Sequence, residues 1–190
     1  MNYLAHLYLS EPTPAFRVGS LLPDVLSLAQ LQQLPDAFHA GIARHRQIDA
    51  YTDAHPLVRQ SIRRISPDYR RFAPVLIDIY YDHLLAQAWQ RYAQQPLEQF
   101  ATEVYAAFER HLHELPTFLH ERFEVMAAED WLCHYREPAG IQQTLVRIGN
   151  RLRRPVDLGG AFTALDQQRE RLSSDFAEFF PQLVAHIQAR

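Results

Sequence analysis

Apolar positions recur along most of the chain at helical spacing, and the strict alternation of a half-buried strand is rare. Residues 18–31 contain a helix start near Pro23 and Asp24, and 35–54 read as one long helix. Pro56 ends that helix or restarts the next, LVRQSIRRI, and Ser66-Pro67-Asp68 reads as the cap of a short one. Pro74 opens 74–94, Pro96 opens 97–114, and Pro116 opens a segment reaching Met126. Residues 139–153 and 161–188 complete the set, with a kink expected near Pro181. Proline at a first helical position loses no hydrogen bond and presets φ, so 12 prolines placed mostly at such starts support an all-α chain. The expectation is a single compact helical domain over 1–190, of about eight helices, with 97–135 a candidate subdomain.

Composition narrows the chemistry. With 190 residues, 47% hydrophobic and 22% charged, the chain is an ordinary globular one. All 19 basic residues are arginine, and no lysine occurs. A Walker A loop and a Schiff-base lysine are thereby excluded. GxGxxG, GxSxG, HExxH and ExxH are absent, which argues against a dinucleotide fold, a serine hydrolase, a zinc protease and a ferritin-like bundle. The single cysteine, Cys133, forms neither an internal disulfide nor a CxxC clip. A net charge of −3 gives no global basic excess for nucleic acid. No long uncharged apolar run predicts a membrane span. The opening MNYLAHLYLS lacks a basic lead and carries His6 within its apolar run, so it reads as folded structure, and the default compartment is the cytoplasm.

The acids are unevenly distributed. Before residue 97 they are aspartates, with Glu11 the one glutamate; from Glu98 onward glutamate dominates. Asp36 and Asp68 follow prolines in first turns, where a carboxylate suits the helix dipole. Asp49, Asp53, Asp78 and Asp82 fall within helices, where glutamate is the better helix former. A short side chain fixes its oxygens near the backbone, which metal coordination rewards. His45 and Asp49, four apart, share a helix face, and Asp53 follows a turn later. Asp78 and Asp82 are also four apart, inside an apolar helix, and His83 follows directly. Two such helices facing each other would offer a mixed nitrogen and oxygen site suited to Mn²⁺, Fe²⁺ or Mg²⁺. The competing reading is structural: Asp49 and Asp53 paired with arginines such as Arg46, Asp82 bonded to tyrosine hydroxyls, and His6 a satisfied core histidine.

The strings MNYLAHLYL, GSLLPDV (19–25), HRQIDAYTD (45–53) and APVLIDIYYDHLLA (73–86), with EDWLCHYRE at 129–137, together resemble the acyl carrier protein phosphodiesterase family. That family, also called holo-acyl-carrier-protein hydrolase, is regarded as a rearranged relative of the HD phosphohydrolases. The resemblance implies an HD-like helical core and a divalent metal, typically Mn²⁺. It also implies hydrolysis of the serine–4′-phosphopantetheine linkage of holo acyl carrier protein, giving apo carrier and 4′-phosphopantetheine. The HD order His…His-Asp…Asp is altered here, since the adjacent pair is Asp82-His83 and Asp24 precedes His45. By analogy Asp24, His45, Asp82 and His83 are the candidate ligands. Asp49, Asp53 and Asp78 are further ligands or orienters of imidazole. Arg46 is placed either to hold a phosphoryl oxygen through its fork or to pair with Asp49. His6 is the candidate acid for the departing serine oxygen. On these assignments Asp82→Ala abolishes turnover and spares the fold.

The implied partner is acidic, so its docking needs a positive patch. Two arginine clusters qualify: Arg59, Arg63, Arg64, Arg70 and Arg71, and a second of Arg147, Arg151, Arg153 and Arg154, of which Arg147, Arg151 and Arg154 share a helix face. The rival for either is a solvated face. Alternatives to the carrier phosphodiesterase are an HD-like phosphohydrolase of a nucleotide or small phosphoester, and a helical protein that binds an acidic partner without catalysis.

Overall fold

The computed structural model describes residues 1–152 and 155–189. Among them there are twelve α-helices, joined by short 3₁₀ turns, and no strand. They are α1 (Tyr3–Tyr8), α2 (Pro14–Gly19), α3 (Leu28–Leu31), α4 (His39–Ala54), α5 (Pro56–Tyr69) and α6 (Ala73–Gln87). Then follow α7 (Leu97–His111), α8 (His120–Ala128), α9 (Trp131–His134), α10 (Pro138–Arg151), α11 (Ala161–Gln167) and α12 (Arg169–Gln188). No helix is long and apolar enough among the described residues to cross a membrane.

The all-α expectation holds, and the element count rises because several expected helices are divided. The 18–31 segment becomes a 3₁₀ turn at Leu22–Asp24 and then α3, whose Ser27 and Gln30 form a reciprocal capping box. The 161–188 segment divides at Gln168 into α11 and α12. Proline punctuation works at Pro56, the first residue of α5, at Pro74 in the first turn of α6, and at Pro96, the residue just before α7. It fails at Pro67, which lies inside α5 rather than opening a new helix.

Helix α6 is the centre of the fold. Its residues are apolar nearly all round, and Ile79 through Ala86 are buried without interruption, the mark of a helix enclosed on every side. Helices α1, α5, α10 and α12 pack against it, and α4 packs on α2, α5 and α12. Helix α7 packs on α2, α8 and α9, and its Phe100, Val104 and Phe108 join the same hydrophobic cluster as α6.

Two glycines set the approach of α2 to α4. A Cβ on Gly41 would overlap the Phe16 carbonyl oxygen and stand 2.7 Å from the Ser20 nitrogen, and one on Gly19 would overlap the Phe38 carbonyl. The backbones therefore meet where side chains would hold them apart.

Candidate functional site

The buried stripe of α4 reads Gly41, Ile42, His45, Ile48, Thr52. His45 therefore points inward, and Asp49 sits at the stripe's edge with its side chain 40% exposed. The close α2–α4 approach brings the Ser20 carbonyl to His45, whose Nδ1 lies 2.7 Å from that oxygen. A carbonyl only accepts, so Nδ1 carries a proton, and Nε2 either donates a second proton to Asp49 or, unprotonated, offers its lone pair on that side. That Nε2 is 3.0 Å from Asp49 Oδ2 and 3.7 Å from Asp24 Oδ1.

Helix α1 supplies the second imidazole. His6 is fully buried and stacks on His45, with ring centroids 3.8 Å apart and planes 10° from parallel. Its Nε2 lies 3.2 Å from Asp49 Oδ1 without hydrogen-bond alignment, and its Nδ1 has no partner. One carboxylate thus faces two imidazoles, an oxygen to each. Among the described residues, His6, His45 and Asp49 place one ligand atom apiece within 4.8 Å of one another. Ligand atoms that share one ion at about 2.1 Å lie roughly 3 Å apart at right angles, close to the 3.0 and 3.2 Å between the Asp49 oxygens and the two Nε2 atoms. The donors, two imidazoles with carboxylates alongside, are those of Mn²⁺, Fe²⁺ or Zn²⁺ rather than Ca²⁺.

Charge accumulates at the mouth. The Met1 ammonium is 3.1 Å from Asp78 Oδ1 and 3.8 Å from Asp49 Oδ1. Burial brings His6 down to about 4, against its contact with Asp49, so this imidazole is neutral at physiological pH. His45 is raised: burial opposes protonation, but the Asp49 bond and the Asp24 charge outweigh it. Burial and the nearby Asp49 push Asp24 up to about 6, against the pull of His45. For Asp49 the burial penalty is overcome by the two histidines, which hold it well below the carboxylate range. A neutral buried imidazole, an oriented imidazole and an ionised carboxylate in one hollow are groups that a cation site or a proton-handling one uses.

The family model for acyl carrier protein phosphodiesterase matches residues 1–183. The chain belongs to that enzyme family. It is 31% identical over 189 residues to the acyl carrier protein phosphodiesterase of Yersinia pestis, covering 99% of this chain and 98% of that one. It is also 31% identical over 185 residues to that of Photorhabdus laumondii, covering 97% and 93%. To that of Escherichia coli O9:H4 it is 30% identical over 186 residues, covering 97% and 96%. No solved structure matches it.

In this member of the acyl carrier protein phosphodiesterase family, Asp24 and His45 come together as the resemblance implied, and Asp82 and His83 do not join them. Asp82 is fully buried, and its carboxylate accepts the Leu4 amide at 2.6 Å and the Ala5 amide at 3.2 Å. It satisfies two amide donors at the start of α1 that have no partner within the helix. His83 lies about 100° further round α6. Its Nδ1 bonds the Tyr135 carbonyl at 2.7 Å, and its ring packs edge-on to Phe162. His6, expected as an acid, stacks on His45 beside Asp49, where burial pulls its pKa down to about 4, and the same position makes it a ligand candidate. Arg46 is exposed and makes no pair with Asp49. Asp78 holds the Met1 ammonium, and Asp53 is exposed one turn beyond Asp49.

The Ser20 carbonyl that orients His45 has no side-chain signature. The two glycines that bring it there are its trace in the sequence. Gly41→Ala is expected to cost about 1–3 kcal/mol through overpacking. It should also loosen the Ser20–His45 bond, visible as a changed His45 Nδ1–H proton resonance; an unchanged melting temperature would contradict the close approach.

Proposed function

We propose that this chain hydrolyses the serine–4′-phosphopantetheine diester of holo acyl carrier protein at a divalent ion held by His6, His45 and Asp49, with Asp24 completing the site. The observation that carries the reading is the shared Asp49 carboxylate, one oxygen to each stacked imidazole. Family membership supports the substrate. When bound, such an ion supplies Lewis-acid polarisation of a phosphoryl oxygen and makes a nucleophile of water at neutral pH.

The protein's own groups do the positioning. The Ser20 carbonyl fixes the His45 tautomer, and Asp49 fixes both rings. Arg46, exposed and unpaired among the described residues, follows His45 on α4 about 100° round the helix, and its fork suits a non-bridging phosphoryl oxygen of a substrate at the mouth. The Met1 ammonium offsets part of the negative charge of Asp49 and Asp78. Without these cations four aspartates around the mouth would repel a phosphodiester.

For the partner, Arg59 and Arg63 on α5 are the better docking residues. Both are exposed, and Arg59 Nε donates to the Asp53 carbonyl at the site's edge. On the second cluster Arg147 is paired with Glu129 and lies over Trp131. Arg154 falls outside the described residues, as does the side chain of Arg151. Reversing both charges, Arg59→Glu with Arg63→Glu, should lower kcat/KM on the carrier by about tenfold or more at low salt and flatten its salt dependence. A small phosphodiester should be affected less; equal effects on both substrates would remove this face.

The reaction is tested by incubating the protein with holo carrier and Mn²⁺ and following loss of the prosthetic-group mass. Turnover of small phosphoesters but not of the carrier would favour the phosphohydrolase alternative. Proton competition gives a further check. Asp24 protonates near pH 6, and the raised His45 protonates above that, so Mn²⁺ affinity is full above both and falls with acidification. Calorimetry between pH 7.5 and 5.5 should show at least about a tenfold loss; a flat profile would contradict this ligand set.

A further inference from the structure

A cavity of about 60 Å³ is walled by Asn2, Tyr3, Arg122, Trp131, Tyr135 and Ile148 among others. Its position follows from the chain: Asn2 and Tyr3 directly succeed Met1, whose ammonium touches Asp78 and Asp49. Two residues span at most roughly 7 Å, so the backbone carrying Asn2 and Tyr3 stays near the Met1 ammonium. Tyr135, on the cavity wall, is close enough to Asp24 to feel its charge.

The walls are suited to a thin amphipathic chain. Asn2 Nδ2 donates to the Tyr135 hydroxyl at 2.8 Å. Arg122 donates to the Tyr3 hydroxyl and lies over that ring, 5.9 Å from its centroid. Arg147, on the same wall, is neutralised by Glu129. Arg122 is half-buried and has no carboxylate partner among the described residues. A half-buried guanidinium with donors to spare is favoured by an added acceptor. Trp131 and Ile148 supply the apolar side. The room is that of roughly four to six ordered waters at 10–15 Å³ each, enough for a few atoms in a row but not for a nucleobase or a sugar ring.

We propose that this cavity takes part of the pantetheine arm, an amide carbonyl accepting from Arg122 while methylene groups lie against Trp131 and Ile148. This rests on the carrier phosphodiesterase reading, and it explains how a diester of pantetheine would be preferred over a nucleotide.

The probe is pantetheine itself, without phosphate or carrier. It is titrated into the full chain after metal removal, with Trp131 fluorescence as the readout. The other tryptophan, Trp89, is buried and donates its indole N–H to the Gln95 carbonyl. A saturable change is expected, absent from the fluorescence of Trp131→Phe. The dissociation constant should rise about tenfold or more in Arg122→Gln, the loss of one charge-assisted hydrogen bond. Ile148→Phe, which narrows the cavity and keeps every charge, should weaken binding likewise; melting curves establish that both variants are folded. No saturable change, or affinity unmoved by both variants, overturns the assignment. Wild-type turnover of holo carrier without pantetheine binding would remove the cavity and leave the reaction. Binding without turnover would keep the cavity and remove the reaction.

Discussion

Asp49→Asn is expected to lower turnover of holo acyl carrier protein by at least about 100-fold, the upper end of what losing a group that merely orients a metal ligand costs. The substitution is nearly isosteric, and the side chain is 40% exposed, so the helix should survive it. What it removes is the charge that both imidazoles share. Without that charge the balance at His45 shifts toward burial, and its pKa should fall. Histidine titration by NMR reads this shift directly, and calorimetry reads the accompanying loss of Mn²⁺ affinity. A variant that kept wild-type turnover and an unmoved His45 titration would take Asp49 out of the site.

Asp82→Ala should act on stability. Two buried amides at the start of α1 lose their acceptor, each at about 1–3 kcal/mol, so a loss of roughly 2–6 kcal/mol is expected. For a chain of this length that lowers the melting temperature by roughly 4–24 °C. Asp82→Asn keeps an acceptor oxygen and should lose less. Because α1 carries His6, activity will fall with the fold, but the pair His45 and Asp49 on α4 stays assembled. Residual Mn²⁺ binding in a destabilised variant is therefore the expected signature. Abolished binding with an unchanged melting temperature would restore Asp82 as a ligand.

The two aspartates show how far the sequence reaches. His45 and Asp49 lie four apart on one helix, and helical periodicity alone places them on a common face. Asp82 carried an equally good signal, a short acid inside an apolar helix, and that signal did mean a buried carboxylate in need of a partner. The partner is the backbone of Leu4 and Ala5, and backbone donors leave no mark on residue identity. His83 could have been separated from Asp82 by geometry, since neighbours on a helix point about 100° apart. His6 was visible as a histidine in an apolar run, but its stacking on His45 depends on how α1 lies across α6, which no local pattern encodes. Likewise Pro67 looked like a helix start, and tertiary packing of α5 between α6 and α12 carries the helix through it.

The placement of the ion is tested most directly by anomalous diffraction from a crystal of the protein soaked in Mn²⁺. One peak bounded by His6 Nε2, His45 Nε2 and Asp49 is expected. A peak at Asp82 and His83, or none near α4, would contradict the site.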